Sequence, residues 1–327
     1  MKDFQWTEPQ TVEQALAWLA KANGKAVLMA GGTDLFTEIK EGVVEPDLVI
    51  DLRPIPGLAS IQKDKEGVRI GALATVASIA ADSMIKQEFP GLSEAAGSLA
   101  TPQLRNIGTL GGNLCQRPRC WYYRDAQMVC RKKGGSQCFA VKGRNKYHAI
   151  FGGGICHIVY PSDLAPMLIA LDAQITISSP RGDRSLPLAE FYALPAKNVR
   201  RENVLAADEI VREVRIPPAK KGTRSAYIKL KERETWDFAL VSAAVRATES
   251  GGELDDLAIV LGGVAPIPWR LGRTESSLKG KKLSEPLVKD ALRADLQEAR
   301  PLEENGYKID LVQAAVSRAL GSLTRGK

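Results

Sequence analysis

The chain has 327 residues, with 45 Lys and Arg against 38 Asp and Glu, a net charge of +7. At roughly 100–200 residues per domain, that length makes about two domains with well-buried cores the expectation. A hydrophobic content of 44% and a charged content of 25% exclude disordered and fibrous classes, and no run approaches the ~18 apolar residues that span a bilayer. The opening Met1-Lys2-Asp3-Phe4-Gln5-Trp6 has no hydrophobic core of a secretory signal, which makes the cytoplasm the expected location.

Thr11 followed by Gln14 has the capping-box spacing, so a helix starts there, continues through Ala15, Leu16, Trp18 and Leu19, and stops at Asn23-Gly24. The apolar run Ala26-Val27-Leu28-Met29-Ala30 reads as a buried strand that breaks at Gly31-Gly32-Thr33-Asp34 into a helix over 35–40. Residues 48–52 form a second strand, and Pro54 and Pro56 close the unit near residue 58. Strands over 68–72, 173–177 and 209–216 and helices from Thr75, over 92–100 and over 162–170 follow. The segment 107–114 is punctuated by glycines and reads as a loop. Pro217-Pro218-Ala219-Lys220-Lys221-Gly222 is the expected linker, and beyond it strands are predicted over 225–231 and 257–264, with amphipathic helices over 284–299 and 310–320. The pattern describes two α+β domains, 1–217 and 218–327.

All five cysteines and both histidines lie between 115 and 157. Residues 115–156 hold nine Lys and Arg against Asp125 alone, a charge of +8, which leaves the rest of the chain at −1. The charge therefore belongs to one insert and gives no face-wide stripe for nucleic acid. Within the insert, Cys115, Cys120, Cys130, Cys138 and Cys156 contain no C-x2-C pair, which fits a structural zinc site poorly. An odd number of cysteines without a secretion signal argues against a disulfide framework. A four-thiolate iron–sulfur cluster tolerates such spacing, and nearby cations stabilise its thiolates. On the residues alone, iron–sulfur, zinc and no metal all stay open. His148 and His157 read as hydrogen-bonding residues, and Trp121-Tyr122-Tyr123 as packing for the insert. The strand–Gly31-Gly32–helix element offers backbone N–H groups to a phosphate, but it is not G-x-G-x-x-G, so no Rossmann fold is assigned.

Ala30-Gly31-Gly32-Thr33-Asp34-Leu35, then Arg105-Asn106-Ile107-Gly108-Thr109-Leu110-Gly111-Gly112-Asn113-Leu114, then Ser162-Asp163-Leu164-Ala165-Pro166 occur in an order that resembles the FAD-binding subunits of the xanthine dehydrogenase and carbon monoxide dehydrogenase family. Lys229 with Asp237-Phe238-Ala239-Leu240-Val241, and Gly262-Gly263-Val264-Ala265-Pro266-Ile267-Pro268-Trp269-Arg270, extend the resemblance to the C-terminal part. The insert is similar to that of a subset typified by the flavoprotein subunits of 4-hydroxybenzoyl-CoA reductase and periplasmic aldehyde oxidoreductase. The resemblance implies a two-subdomain FAD-binding fold of the vanillyl-oxidase type and an α/β C-terminal domain with a three-stranded sheet. It implies that Met29, Ala30, Gly31, Gly32, Thr33, Asp34 and Leu35 hold the FAD pyrophosphate, that Gly108, Thr109, Gly112 and Asn113 form a second cofactor loop, and that Thr101 approaches the flavin. Asp163 would meet the cofactor's polar chain and Lys229 the isoalloxazine. Cys120, Cys130, Cys138 and Cys156 would bind a [4Fe-4S] cluster, with Cys115 spare.

The implied function is electron transfer within a heteromeric molybdenum oxidoreductase, of the aromatic acyl-CoA reductase or aldehyde/N-heterocycle dehydrogenase type. No catalytic base is expected on this chain, because the cofactors supply the chemistry. The implied partners are a large molybdenum-cofactor subunit, a small subunit with two [2Fe-2S] clusters, and an external carrier such as ferredoxin, with neither nucleic acid nor membrane. A partner's signal would instead place the complex in the periplasm. The rival readings are a zinc-stabilised nucleic-acid-binding or scaffold protein and a stand-alone FAD oxidase.

Overall fold

The computed structural model describes residues 1–324, so 325–327, the end of the expected C-terminal domain, lie outside the described residues. The chain opens with β1 (Gln5–Thr7), α1 (Val12–Ala22), β2 (Ala26–Met29), α2 (Leu35–Lys40) and β3 (Leu48–Asp51). The three strands make a parallel sheet in the order β1-β3-β2. Thr11 caps α1 by accepting from the Gln14 N–H at 3.2 Å, while the Gln14 side chain accepts from the Gln10 N–H. The capped face buries Val12, Ala15, Leu16 and Leu19 against Leu48, Ile50 and Leu52.

The second unit begins with β4 (Ile61–Asp64) and β5 (Gly67–Gly71), followed by α3 (Val76–Ala81), α4 (Ser83–Glu88), α5 (Pro90–Gly97), α6 (Pro102–Ile107) and α7 (Leu110–Cys115). After the insert, with its short α8 (Trp121–Arg124), come α9 (Leu164–Ala170), β6 (Gln174–Ser179), β7 (Gly182–Pro187), α10 (Leu188–Phe191) and β8 (Ile210–Ile216). The five strands pair in the order β4-β5-β8-β6-β7, all antiparallel. Ile70, Ile175 and Val214 on this sheet share a core with Ile79, Leu92 and Leu168 on the helices. The glycine-rich stretch 107–114, expected as a loop, is the end of α6 and most of α7. Thr101 and Thr109 cap these two helices through the N–H groups of Leu104 and Gly112, and that capping offsets the low helix propensity of Gly111 and Gly112.

The exposed segment 217–222 leads to β9 (Thr223–Leu230), β10 (Val241–Ser250), β11 (Glu253–Gly262) and β12 (Trp269–Arg270), then α11 (Gly272–Leu278), α12 (Glu285–Leu296) and α13 (Lys308–Thr324). The order is β12-β11-β10-β9, antiparallel throughout. The expected three-stranded sheet thus has a fourth, two-residue edge strand. Pro266 and Pro268 lack backbone donors and keep it short. Strand β10 has no counterpart among the predicted elements: its first eight residues are all buried, so the polar–apolar alternation that would have marked it is absent.

Helix α5 lies on β9, where the Gly91 N–H donates to Ser225 Oγ at 3.1 Å. A Cβ at Gly91 would sit 2.8 Å from Met167 Sδ and 2.9 Å from the Ala226 nitrogen, whereas one at Gly97 would meet nothing within 4 Å. Gly91→Ala is therefore expected to destabilise the protein by about 1–3 kcal/mol through overpacking, while Gly97→Ala stabilises it by about 0.5–1 kcal/mol. Urea unfolding of the two variants checks the opposite signs.

Candidate functional site

The turn between β2 and α2 meets the corner between α6 and α7 backbone to backbone. A Cβ on Gly31 would lie 2.2 Å from the Ile107 carbonyl oxygen, so only glycine permits this contact. Gly32 serves a different need: its φ is +71°, in the left-handed region. The N–H groups of Gly31, Gly32, Thr33 and Asp34 donate to no acceptor among the described residues. Four adjacent donors without a protein partner suit an anionic ligand such as a pyrophosphate.

These segments border a cleft of about 710 Å³. Residues 29–35, Thr101, Gly108, Thr109, Gly112, Asn113 and Asp163, all singled out from the sequence, line it. Lys229 does not; it lies behind the wall. Its Nζ donates to Asp163 Oδ2 at 2.8 Å while the Tyr227 hydroxyl donates to Oδ1 at 2.8 Å, and both members of the ion pair are almost fully buried. Asp163 is thereby fixed in one orientation at the cleft surface. Asn113 is fixed too, by the Ser162 hydroxyl, which donates to Oδ1 at 2.6 Å.

Several parts of the wall were not singled out from the sequence, among them two segments. One is Trp236-Asp237-Phe238, from the connection between β9 and β10. Trp236 and Ala100 have φ of +52° and +44°, and the Trp236 N–H donates to the Ala100 carbonyl. Two non-glycine residues in the left-handed region, held by one hydrogen bond at the rim, are the kind of strain that clusters at ligand sites. The other part is the insert itself, which contributes Cys115, Gln116, Arg117 and Arg119. Burial pushes the Cys115 thiol up to about 12, so this cysteine is a neutral wall residue away from the other four.

The insert is fastened to the cleft through Asp34. Its Oδ1 accepts from Arg119 Nη1 at 2.6 Å and Arg124 Nη2 at 2.7 Å, and its Oδ2 from the Arg117 N–H at 2.8 Å. The Tyr123 hydroxyl donates to the buried Glu38, Arg117 and Lys132 pair with the buried Glu202, and Lys146 pairs with Glu232. Many of the insert's cations are thus matched by carboxylates from outside it.

Cys120, Cys130, Cys138 and Cys156 line one small void with Tyr122, Tyr123, Phe139 and Ile158. Cys120, Cys130 and Cys138 each immediately precede a helical turn. Burial raises the Cys120 thiol to about 12 and the Cys156 thiol to about 11. Among the described residues, no three Cys, His, Asp or Glu side chains are arranged to hold a single metal ion. His148 Nε2 lies 3.2 Å from Cys120 Sγ, and burial pulls its imidazolium down to about 4. His157 faces no cysteine in this void. A second cavity of about 410 Å³ shares Arg119, Pro161, Asp163, Asp237 and Phe238 with the cleft and reaches Cys120 and His148 at its other end. Trp121, expected to pack the insert, lies edge-on to Tyr147 and His148 and also walls this cavity.

The family pattern described as the FAD binding domain in molybdopterin dehydrogenase matches residues 2–219. The chain belongs to this family of flavoprotein subunits. The pattern of the CO dehydrogenase flavoprotein C-terminal domain matches residues 225–323. This flavoprotein subunit is 34% identical over 325 residues to the aldehyde oxidoreductase FAD-binding subunit PaoB of Escherichia coli strain K12, covering 98% of each chain. It is 28% identical over 323 residues to the carbon monoxide dehydrogenase medium chain of Hydrogenophaga pseudoflava, covering 98% of this chain and 96% of the other. A solved carbon monoxide dehydrogenase from that organism, lacking the Mo-pyranopterin moiety, superposes with a TM-score of 0.78 at 28% identity, over 98% of this chain and 96% of that one. The quinoline 2-oxidoreductase of Pseudomonas putida 86 shares the fold, with a TM-score of 0.77 at 23% identity over 100% and 99% of the two chains. The flavoprotein is an oxidoreductase subunit of the molybdenum hydroxylase family, and no helix among its described residues is long and apolar enough to cross a membrane.

Burial raises the Asp34 carboxyl, but Arg119 and Arg124 outweigh it and hold the group below its ordinary value. A depressed carboxylate stabilises the fold above its unfolded pKa of about 3.9, and that contribution is lost as pH falls through the lower folded value. Asp34→Asn is expected to cost about 1.5–3 kcal/mol at neutral pH, with the gap to the unaltered protein closing below about pH 4. Thermal melts of both proteins between pH 3 and 7 check this; a gap independent of pH contradicts it.

Proposed function

We propose that this chain is the FAD- and [4Fe-4S]-carrying electron-transfer subunit of a heteromeric molybdenum oxidoreductase. The observation that carries the reading is the arrangement of four cysteines around one void, which shares Cys120 and His148 with the cavity adjoining the cleft of unpartnered N–H groups. When bound, the flavin handles electrons in pairs or singly and the cluster takes them one at a time. The chain's own part is to bind and orient. The N–H groups of 31–34 would hold the pyrophosphate, Gly108, Thr109, Gly112 and Asn113 the facing wall, and Asp163, set by Lys229 and Tyr227, the polar chain near the ring. Cys120, Cys130, Cys138 and Cys156 would hold the cluster.

Thiols that ring a void without converging on one ion favour a cluster with separate iron corners over a mononuclear zinc site. Binding a cluster would release the protons that burial keeps on Cys120 and Cys156. The partners in this reading are a large subunit with the molybdenum cofactor, a small subunit with two [2Fe-2S] clusters, and a soluble carrier of the ferredoxin class. The exposed Arg144 beside Trp121 and Tyr147 and the exposed Lys142 favour an acidic carrier. The place of work is the cytoplasm, or the periplasm if a partner carries the complex there.

Purification of the complex from its host, with FAD, iron and molybdenum measured per chain, tests the reading. FAD with four irons on this chain is expected; zinc with no flavin overturns it. Cys138→Ser is expected to reduce this chain's iron well below four while FAD stays bound. Gly32→Val, which forces a Cβ into a left-handed turn, is expected to reduce FAD to a small fraction of one per chain. Unchanged flavin content removes the pyrophosphate role.

A further inference from the structure

We infer that His148 is a positioning residue that donates a hydrogen bond from Nε2 to the Cys120 thiolate and so raises the reduction potential of the cluster. This rests on the cluster reading above. The two atoms are 3.2 Å apart. The other ring nitrogen, Nδ1, is buried and has no partner. A neutral ring carries one hydrogen. On Nδ1 it would be a buried donor without an acceptor, and the Nε2 lone pair would face an anionic sulfur. On Nε2 it meets that sulfur. A doubly protonated ring also carries hydrogen on Nε2, so the N–H···S contact is present in either charge state.

The ring is held in this pose from several sides. The His148 N–H donates to the Asn145 carbonyl at 2.9 Å, and the His148 carbonyl accepts from the buried Asn305 Nδ2 at 3.0 Å. Trp121 packs edge-on at 5.4 Å between ring centres and Tyr122 lies at 6.1 Å. His148 is 3% exposed, while Cys120 is partly buried at the edge of the cavity.

One-electron reduction of a cluster held there, with the electron supplied by its redox partner, would make the cluster with its four thiolates more negative by one charge. The N–H dipole stabilises the more negative state more strongly, and hydrogen bonds to ligand sulfurs are among the determinants of cluster potential. The hydrogen stays on Nε2, so no proton is transferred. Cys120 and His148 are also the two residues that line both the cysteine void and the cavity leading from the cleft. The tuned ligand is therefore the one that faces the flavin side.

The test is an EPR-monitored redox titration of the purified complex carrying His148→Phe or His148→Gln, with iron and FAD measured alongside. Phe keeps the ring packing against Trp121 and Tyr122 but removes the donor; Gln carries an N–H of similar reach. A more negative cluster potential in His148→Phe with iron content and flavin potential unchanged, and a return toward the original value in His148→Gln, are expected. Unshifted potentials in both variants with full iron overturn the inference, as does loss of iron from both, which would make His148 an iron ligand or a structural support. A complex whose unaltered form shows no [4Fe-4S] signal overturns the cluster reading itself, which separates the two failures.

Discussion

One carboxylate, that of Asp34, joins the two halves of the site. It sits at the start of α2, where an acidic residue ordinarily caps the helix, yet it makes no capping bond. It accepts instead from the Arg117 backbone and the side chains of Arg119 and Arg124. This leaves the first N–H groups of the turn and helix without a side-chain acceptor, available to an anion. It also fixes the arginines that flank Cys120. The same group thus keeps the N–H groups of the turn free of a side-chain acceptor and sets the insert against them.

The geometry beyond Asp34 follows from that attachment. Arg119 reaches Asp34 on one side and lies over the Phe238 ring at 5.1 Å on the other, so the loop between β9 and β10 is drawn to the insert as well. The cleft shares Arg119 and Asp163 with the second cavity, and that cavity shares Cys120 and His148 with the cysteine void. A cation held at a buried carboxylate contributes more than an exposed pair of the same length, because less solvent screens it. Breaking one partner leaves the other charge uncompensated.

Much of this was legible in the sequence, and for physical reasons. The Gly31-Gly32 turn stood out through the resemblance, since a glycine pair between strand and helix is by itself more often a plain turn, and the structure supplies a separate reason for each glycine: a 2.2 Å backbone approach and a φ of +71°. The cysteines stood out by clustering. The capped ends of α1 and α3 were legible because Thr11 and Thr75 accept from N–H groups three residues on. Strand β10 was not, since burial on both faces erases alternation. Neither were α6 and α7, whose threonine caps lie inside a motif that glycine makes look like loop. Lys229 was placed near the cofactor by resemblance; what its sequence position could not show is the 2.8 Å ion pair by which it orients Asp163.

Charge was the feature most easily misread. Taken whole, +7 points to polyanion binding; resolved along the chain, it is an insert of +8 on a nearly neutral body. Resolved in space, the insert divides again. Arg117, Arg119, Arg124 and Lys132 point inward to Asp34 and Glu202, and their role is attachment. Arg131 and Lys133 donate to carbonyls of the insert itself, at Ser136 and Asp125, and close its turns. Arg144 and Lys146 lie on the surface beside Trp121 and Tyr147. Lys146 is already paired with Glu232 there, and Lys142 is exposed as well, so Arg144 and Lys142 are the cations best placed to meet an acidic partner. Around the cysteines burial weighs most at Cys120 and Cys156, and at Cys120 the backbone N–H groups of Tyr123 and Tyr122 oppose it. A basic segment in a sequence is therefore a weak guide to what its charges face, because the carboxylates that answer them can lie, like Asp34, 85 positions away.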